Sequence, residues 1–542
     1  MITILALLSL LLVGAQQHDA HAPAGEKPAT LTKGLGRLHH PIATRSAEAQ
    51  RFFDQGLTLV YGFNHDEAVR AFRRAADLDP ASPMPHWGIA LALGPNINLD
   101  VDPAREKAAY DEAQRARSLA ASAPAHERAY VEALVTRYSN DPKADLKALA
   151  VHYTDAMRDL IRQYPNDLDA ATLYAESLMD LHPWQFWSAD GKPTEGTETI
   201  VATLESVLRR DVMHIGANHY YIHAVEASRA PERALASAKR LETLVPAAGH
   251  LVHMPAHIYM RTGNYEGAVT SNARAAEVDR EYIKARGPEG VYPSMYYNHN
   301  LDFLASAAMM SGRFKDAKQA ADMVVANATP MIAQMPMLEP FGAKTMYVLL
   351  RFARWDEVLA LPPPDSKHAL LTTLSHFGRG VAQAARGNAA DAESERAAYA
   401  NARASVAPDS DWGYNKAKDM LAITDAVLDA WIARAKRDDA VTIEAWRRAV
   451  AAEDSTNYDE PADWFYPTRE SLGAALLRAA RVDEAAQVFR EDLTRNPRNG
   501  RSLFGLWQAL RAKGEDPATT ATQRRFREAR KHADVTLRIS DF

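Results

Sequence analysis

Cysteine is absent from all 542 residues, which removes disulfides, thiolate metal ligands, lipidated cysteines and cysteine nucleophiles together. A metal held by this chain must take imidazole, carboxylate, thioether or backbone donors. An excess of one charge is also lacking: 63 Lys and Arg stand against 69 Asp and Glu, a formal net charge of -6, with the signs interleaved along most of the chain. The most basic stretch, Arg524 to Lys531, alternates with Glu and Ala as a solvated helix face does. There is therefore no electrostatic case for nucleic acid as a partner. No Gly-rich phosphate loop, GxSxG elbow or dinucleotide fingerprint occurs.

Long apolar runs are scarce as well. Ile2 to Val13 is apolar but shorter than the roughly 20 residues of a membrane-spanning helix. It ends in the small residues Val13-Gly14-Ala15, as a cleaved leader does. Residues 1–15 are accordingly read as a signal peptide, with an uncleaved membrane anchor as the alternative because no Lys or Arg precedes the apolar run, and the mature chain as periplasmic or secreted with no stable membrane span after cleavage. Residues 16–45, with His, Pro, Gly and Thr, read as a flexible N-terminal segment.

With 47% hydrophobic and 24% charged residues, the chain can bury a substantial core. It exceeds the size at which one compact core stops growing, so several domains or a repeat array is required. Apolar residues recur at spacings of three and four rather than two, which predicts helices. Gly56, Ala68, Phe72, Ala75 and Pro80 near the start, and Gly473, Ala485, Phe489, Asp492 and Pro497 near the end, share steps of 12, 4, 3 and 5. Small residues let two helices approach, the aromatic fills the seam, and proline ends the second helix. Weaker copies carry Ala90, Ala175, Ala234, Ala268 and Ala317.

This pattern resembles the tetratricopeptide repeat (TPR) superfamily, of an exported bacterial type, with its period of about 34 residues. The resemblance implies an all-α, TPR-like helical-hairpin solenoid. The Leu361-Pro362-Pro363-Pro364-Asp365 stretch divides it into a block over 46–360 and a C-terminal block over 366–535.

Histidines occupy one column of the repeat. The differences 253 minus 219 and 257 minus 223 are both 34, so His219/His223 and His253/His257 hold equivalent places in successive repeats. Residues four apart share a helix face, and each pair can chelate. In TPR proteins the corresponding positions line the concave groove, which by resemblance places all four histidines there, with Glu176, Glu226, His250, His299 and Asp302 on the same face. His182, at the end of the helix bearing Glu176, is expected to close one end. A Tyr-rich insertion, 287–298, is expected to fold over the groove as a lid. Pro255 interrupts the second pair: if its helix begins there, His253 belongs to the preceding loop.

Imidazole suits Zn, Cu, Fe and Ni, and His219-x-x-x-His223-x-x-Glu226 offers two nitrogens and a carboxylate on one face. Tyr220 and Met254 follow the leading histidines of the two pairs, so the HExxH protease motif is absent. Two functions remain open. One is an exported scaffold whose groove binds a protein, a peptide or a small ligand, with His219, His223, His253 and His257 as a metal site. The other is a hydrolytic or redox metalloenzyme using the same cluster. The sequence leans toward binding rather than catalysis.

Overall fold

The computed structural model describes residues 29–542 apart from 190, 288 and 289; the expected signal peptide, 1–15, lies outside the described residues. The chain is all-α and built of helical hairpins, with twenty-five α-helices and a single pair of two-residue strands, Asp411–Trp412 with Asn415–Lys416, among the described residues. None of these helices is long and apolar enough to cross a membrane.

The repeat pattern acts as its chemistry requires. Helix Ala47–Val60 pairs with His65–Leu78, whose N-cap Asn64 accepts from the Glu67 amide and which ends just before Pro80. The Phe72 ring lies between Gly56 and Gly88, where an added Cβ on either glycine would come within 2.6 Å of it. Phe489 is seated in the same way against Gly473 and Gly505. Phe72 is fully buried, so Phe72→Ala is expected to cost about 3–5 kcal/mol of unfolding free energy. Denaturant titration measures this, and a loss under about 1 kcal/mol would mean the seam can collapse around the missing ring.

The array does not stay open. The first hairpin reaches helix Tyr265–Arg286 through Arg286 to Glu67, 2.6 Å, and Arg70 to Tyr282, 3.1 Å. Gly263, at φ 75°, lies so close to Pro497 that a Cβ would fall 2.0 Å from its carbonyl oxygen, a position only glycine fills. Asp534 accepts from the Phe314 and Lys315 amides. Beginning, middle and end of the chain therefore meet around the histidine helices.

Residues 29–45, part of the segment expected to be flexible and exposed, are instead fastened to this body. Gln55 bonds Thr32 and Thr30, the Ala247 amide donates to Gly34, and His40 donates to Asp169 at 2.9 Å. Their backbone polar groups find partners on the helices, which the composition of the segment did not reveal. The Pro-rich stretch lies between helices Trp355–Ala360 and Ala369–Ala385.

Candidate metal centre

Helix Ile215–Glu226 starts where the His214 ring accepts from the Ala217 amide, and it carries His219, His223 and Glu226 on one face. The facing segment is two helices, Gly249–His253 and Pro255–Thr262. Pro255 takes the first position of the second, where its missing N–H costs least. Met254 between them keeps helical angles, φ -48° and ψ -35°. The path is therefore broken in hydrogen bonding but not in direction, and His253 and His257 remain stacked one turn apart. His299 arrives on helix Tyr297–Ser311.

Over its described residues 290–298 the Tyr-rich insertion is not a lid. Tyr292–Tyr296 forms a π-helical turn running straight into that helix. Tyr292 donates to Asp279 and accepts from the His250 amide, and the Tyr296 ring meets the His250 ring edge-on at 5.1 Å. The aromatic side chains are spent fixing His250 rather than covering a cleft. Burial pushes the Asp279 carboxyl up to about 7.

Six imidazoles come together as two triads. In the first, the Nε2 of His219 is 3.1 Å from that of His223 and 3.1 Å from that of His250. In the second, the Nε2 of His253 is 2.8 Å from that of His257 and 3.2 Å from that of His299. The triads face each other, with 5.1 Å between the His223 and His257 ring centres and 5.5 Å between those of His250 and His253.

Four of the opposite ring nitrogens are committed, whereas His250 Nδ1 is buried with no hydrogen-bond partner among the described residues. His219 Nδ1 donates to the Tyr61 carbonyl at 2.7 Å, and His253 Nδ1 to Asn272 Oδ1 at 2.6 Å. Asn272 is held in that orientation because its amide nitrogen donates to Ala268. Glu226 serves both triads, accepting from His223 Nδ1 at 2.7 Å and from His257 Nδ1 at 2.6 Å. Burial alone would raise the Glu226 pKa, but His257 beside it and the two imidazole hydrogen bonds hold the carboxyl below its usual range. It is an anion that can only accept.

Four Nε2 atoms thus present lone pairs, and within His219/His223 and within His253/His257 they present them to each other. Only a proton or a metal ion can lie between them. Protons are disfavoured: burial, with neighbouring imidazoles, holds His219, His250 and His253 well below the usual range and lowers His223 as well, despite its bond to Glu226. Burial takes His299 down to about 3.

This depression has a definite sign. Between about pH 3 and 6.5 the unfolded chain protonates His299 and the folded one does not, so the metal-free protein loses stability as pH falls through that window. Each such histidine contributes a slope of up to about 1.4 kcal/mol per pH unit. Comparing metal-free wild type with His299→Gln by denaturant titration at pH 7.5 and 5.5 isolates the contribution. The variant is expected to show the shallower pH dependence, and equal dependences would place a proton on His299 in the folded state.

The site is closed, not a groove. His219, His253 and His257 are 0% exposed and His223 and His250 1%; only His299 is half-buried. The expectation of an open concave surface is corrected here, because the array folds back on that face. The turn after the first helix lays Phe63 against His219, ring centres 4.6 Å apart, and against His250, 5.3 Å. Trp184 meets His223 at 5.1 Å, and Phe303 covers His253 and His257 at 4.7 and 4.6 Å. Phe63 and Trp184 hold left-handed backbone angles, φ 55° and 62°, a strain that persists only where surroundings enforce it. From the C-terminal block, the Tyr458 hydroxyl, with its single proton, lies within hydrogen-bonding distance of both Glu226, at 3.1 Å, and Glu460, at 2.8 Å.

The remaining sequence-based residues divide. His250 and His299 are members of the triads, and Glu226 bridges them. Asp302 lies one turn from His299 and pairs with Lys344 at 2.8 Å, at the rim. Glu176 is placed elsewhere: it is buried with Asp180 and Arg137, and burial raises its pKa. His182 caps its helix at the exposed surface and closes nothing. Sequence reasoning missed Tyr61, Phe63, Asn272 and Phe303, whose only signal is proximity in the fold.

No family model and no curated protein matches the sequence. Among solved structures the chain is similar to Naa15/Naa10 bound to HypK-THB, at 10% identity over 90% of each chain with a TM-score of 0.25. It is similar to yeast Tom70 at 12% identity, over 89% of this chain and 93% of that one, with a TM-score of 0.30. A third is the APC/C hetero-tetramer Cut9-Hcn1, at 13% identity, 87% and 78% coverage and a TM-score of 0.29. These are distant likenesses, and the fold described above rests on helix pairing within this chain.

Proposed function

We propose that this protein is a dinuclear metalloprotein whose helical array encloses two transition-metal ions, one in each histidine triad. The observation that carries this reading is the set of Nε2–Nε2 contacts of 2.8 to 3.2 Å among six rings, four of which already donate from Nδ1, to Tyr61, Asn272 and Glu226. Without a cation these contacts oppose lone pairs in a buried setting. Two nitrogens about 2.0–2.1 Å from one ion at a tetrahedral angle lie roughly 3.3–3.4 Å apart, so each triad needs only a small opening to take one.

The surroundings support the same reading. Ligating histidines ordinarily donate their second N–H to a carboxylate or carbonyl, which fixes the tautomer and raises basicity, and four of the six do so here. Three nitrogen donors per ion leave a position free, as chemistry at a metal requires. An extended peptide is not favoured, because the histidine face that would receive it is buried.

Metal-stripped, untagged protein, offered Cu(I), Co2+ and Zn2+ in separate samples, is expected to take up two equivalents per chain of at least one of them, counted by elemental analysis after gel filtration. Uptake below one equivalent of every one of these ions by protein that retains its helical circular dichroism would overturn the reading.

A further inference from the structure

We infer that the two ions are copper and that the space between the triads binds dioxygen. This rests on the dinuclear reading above and adds the metal and the ligand.

Charge selects the metal. Among the described residues, Glu226 is the one carboxylate hydrogen-bonded to the six imidazoles. Glu460 is linked only through Tyr458, and the Arg261 guanidinium donates to the Glu226 carbonyl at 3.0 Å. Two divalent ions would bring four positive charges into a pocket lined by neutral rings and one anion, a costly arrangement when buried. Two Cu(I) ions bring two. Six imidazoles, with the neighbouring Glu226 carboxylate already accepting from His223 and His257 Nδ1, are also the wrong donors for iron or manganese pairs, which favour carboxylate oxygen, and the right ones for copper.

Enclosure selects the ligand. Five of the six histidines are 0–1% exposed, and Phe63, Phe303 and Trp184 pack on their rings. A polar substrate for metal-assisted hydrolysis has no place beside them, whereas a small apolar diatomic molecule diffuses into such packing. Facing triads, with ring centres from 5.1 Å apart, aim the free position of each three-coordinate ion at the other. Dioxygen bridging them takes one electron from each Cu(I), giving two Cu(II) and bound peroxide, with no proton needed and no other reductant. Dissociation returns the electrons to the metals and releases O2.

The test uses full-length untagged protein loaded anaerobically with Cu(I), then exposed to O2. Two copper ions per chain, an intense near-ultraviolet peroxide-to-copper band that fades on deoxygenation, and little Cu(II) paramagnetic resonance signal, because the paired spins couple, are expected. His223→Ala should lose one copper and the band while keeping its helical circular dichroism. Tight binding of two Zn2+ with no band from the copper-loaded protein overturns the dioxygen inference and leaves the dinuclear reading standing. Failure of folded protein to bind either metal overturns both. A full-strength band in His223→Ala would place dioxygen elsewhere and overturn the inference.

Discussion

Replacing His219 and His223 together by alanine is expected to lower the metal content from two ions per chain to one. The first triad keeps only His250, and a single imidazole does not hold an ion against water. The second triad retains His253, His257 and His299, with Asn272 and Glu226 still orienting two of them. His253→Ala/His257→Ala should have the mirror effect, and all four substitutions together should leave none. Each ion lost also removes its linked stabilisation, about 4 kcal/mol when the metal is held at 1,000 times its Kd. Thermal unfolding with and without metal should follow the same steps. Loss of all bound metal from either double variant that keeps its helical circular dichroism would contradict two independent triads.

The second large effect belongs to a residue that is not itself a metal ligand. Glu226 is fully buried and accepts one imidazole N–H on each carboxylate oxygen. In Glu226→Gln the shape is preserved but one oxygen becomes an NH2, which cannot accept. One of His223 and His257 must then face a donor with its Nδ1–H, or move its proton to Nε2 and cease to be a ligand. Affinity is expected to fall about 10- to 100-fold, read by competition with a chelator, while the unchanged volume leaves the fold intact. Affinity within twofold of wild type would show that the carboxylate does not orient the rings.

Much of this arrangement is legible in the amino-acid sequence. The steps linking Gly56 to Phe72 and Gly473 to Phe489 encode the hairpin seam, because packing there depends on residue size at fixed helical spacing. The interval of 34 between the histidine pairs places them on corresponding faces, and the same register yields Glu226 and His250, with His299 reached only by allowing an insertion of 299 minus 284, fifteen residues. What it misses follows from long-range closure. Tyr61 reaches the site from 158 residues before His219, with Phe63 beside it, and Tyr458 from 232 residues after Glu226. No local periodicity records that the array folds back on its concave face, so the repeat pattern by itself points to an open groove. Register also overreaches with Glu176: a shared repeat position fixes direction only near its own helix, and that residue faces Arg137 and Asp180 instead. Pro255, an apparent obstacle, is compatible with the pair because Met254 keeps the helical path.

The central claim, two ions in two histidine triads, is tested most directly by anomalous diffraction from metal-loaded crystals at the absorption edge of the bound element. The account predicts two peaks: one about 2.0–2.1 Å from the Nε2 atoms of His219, His223 and His250, the other equally placed among His253, His257 and His299. A single peak, or density with no anomalous signal at either triad, would contradict it.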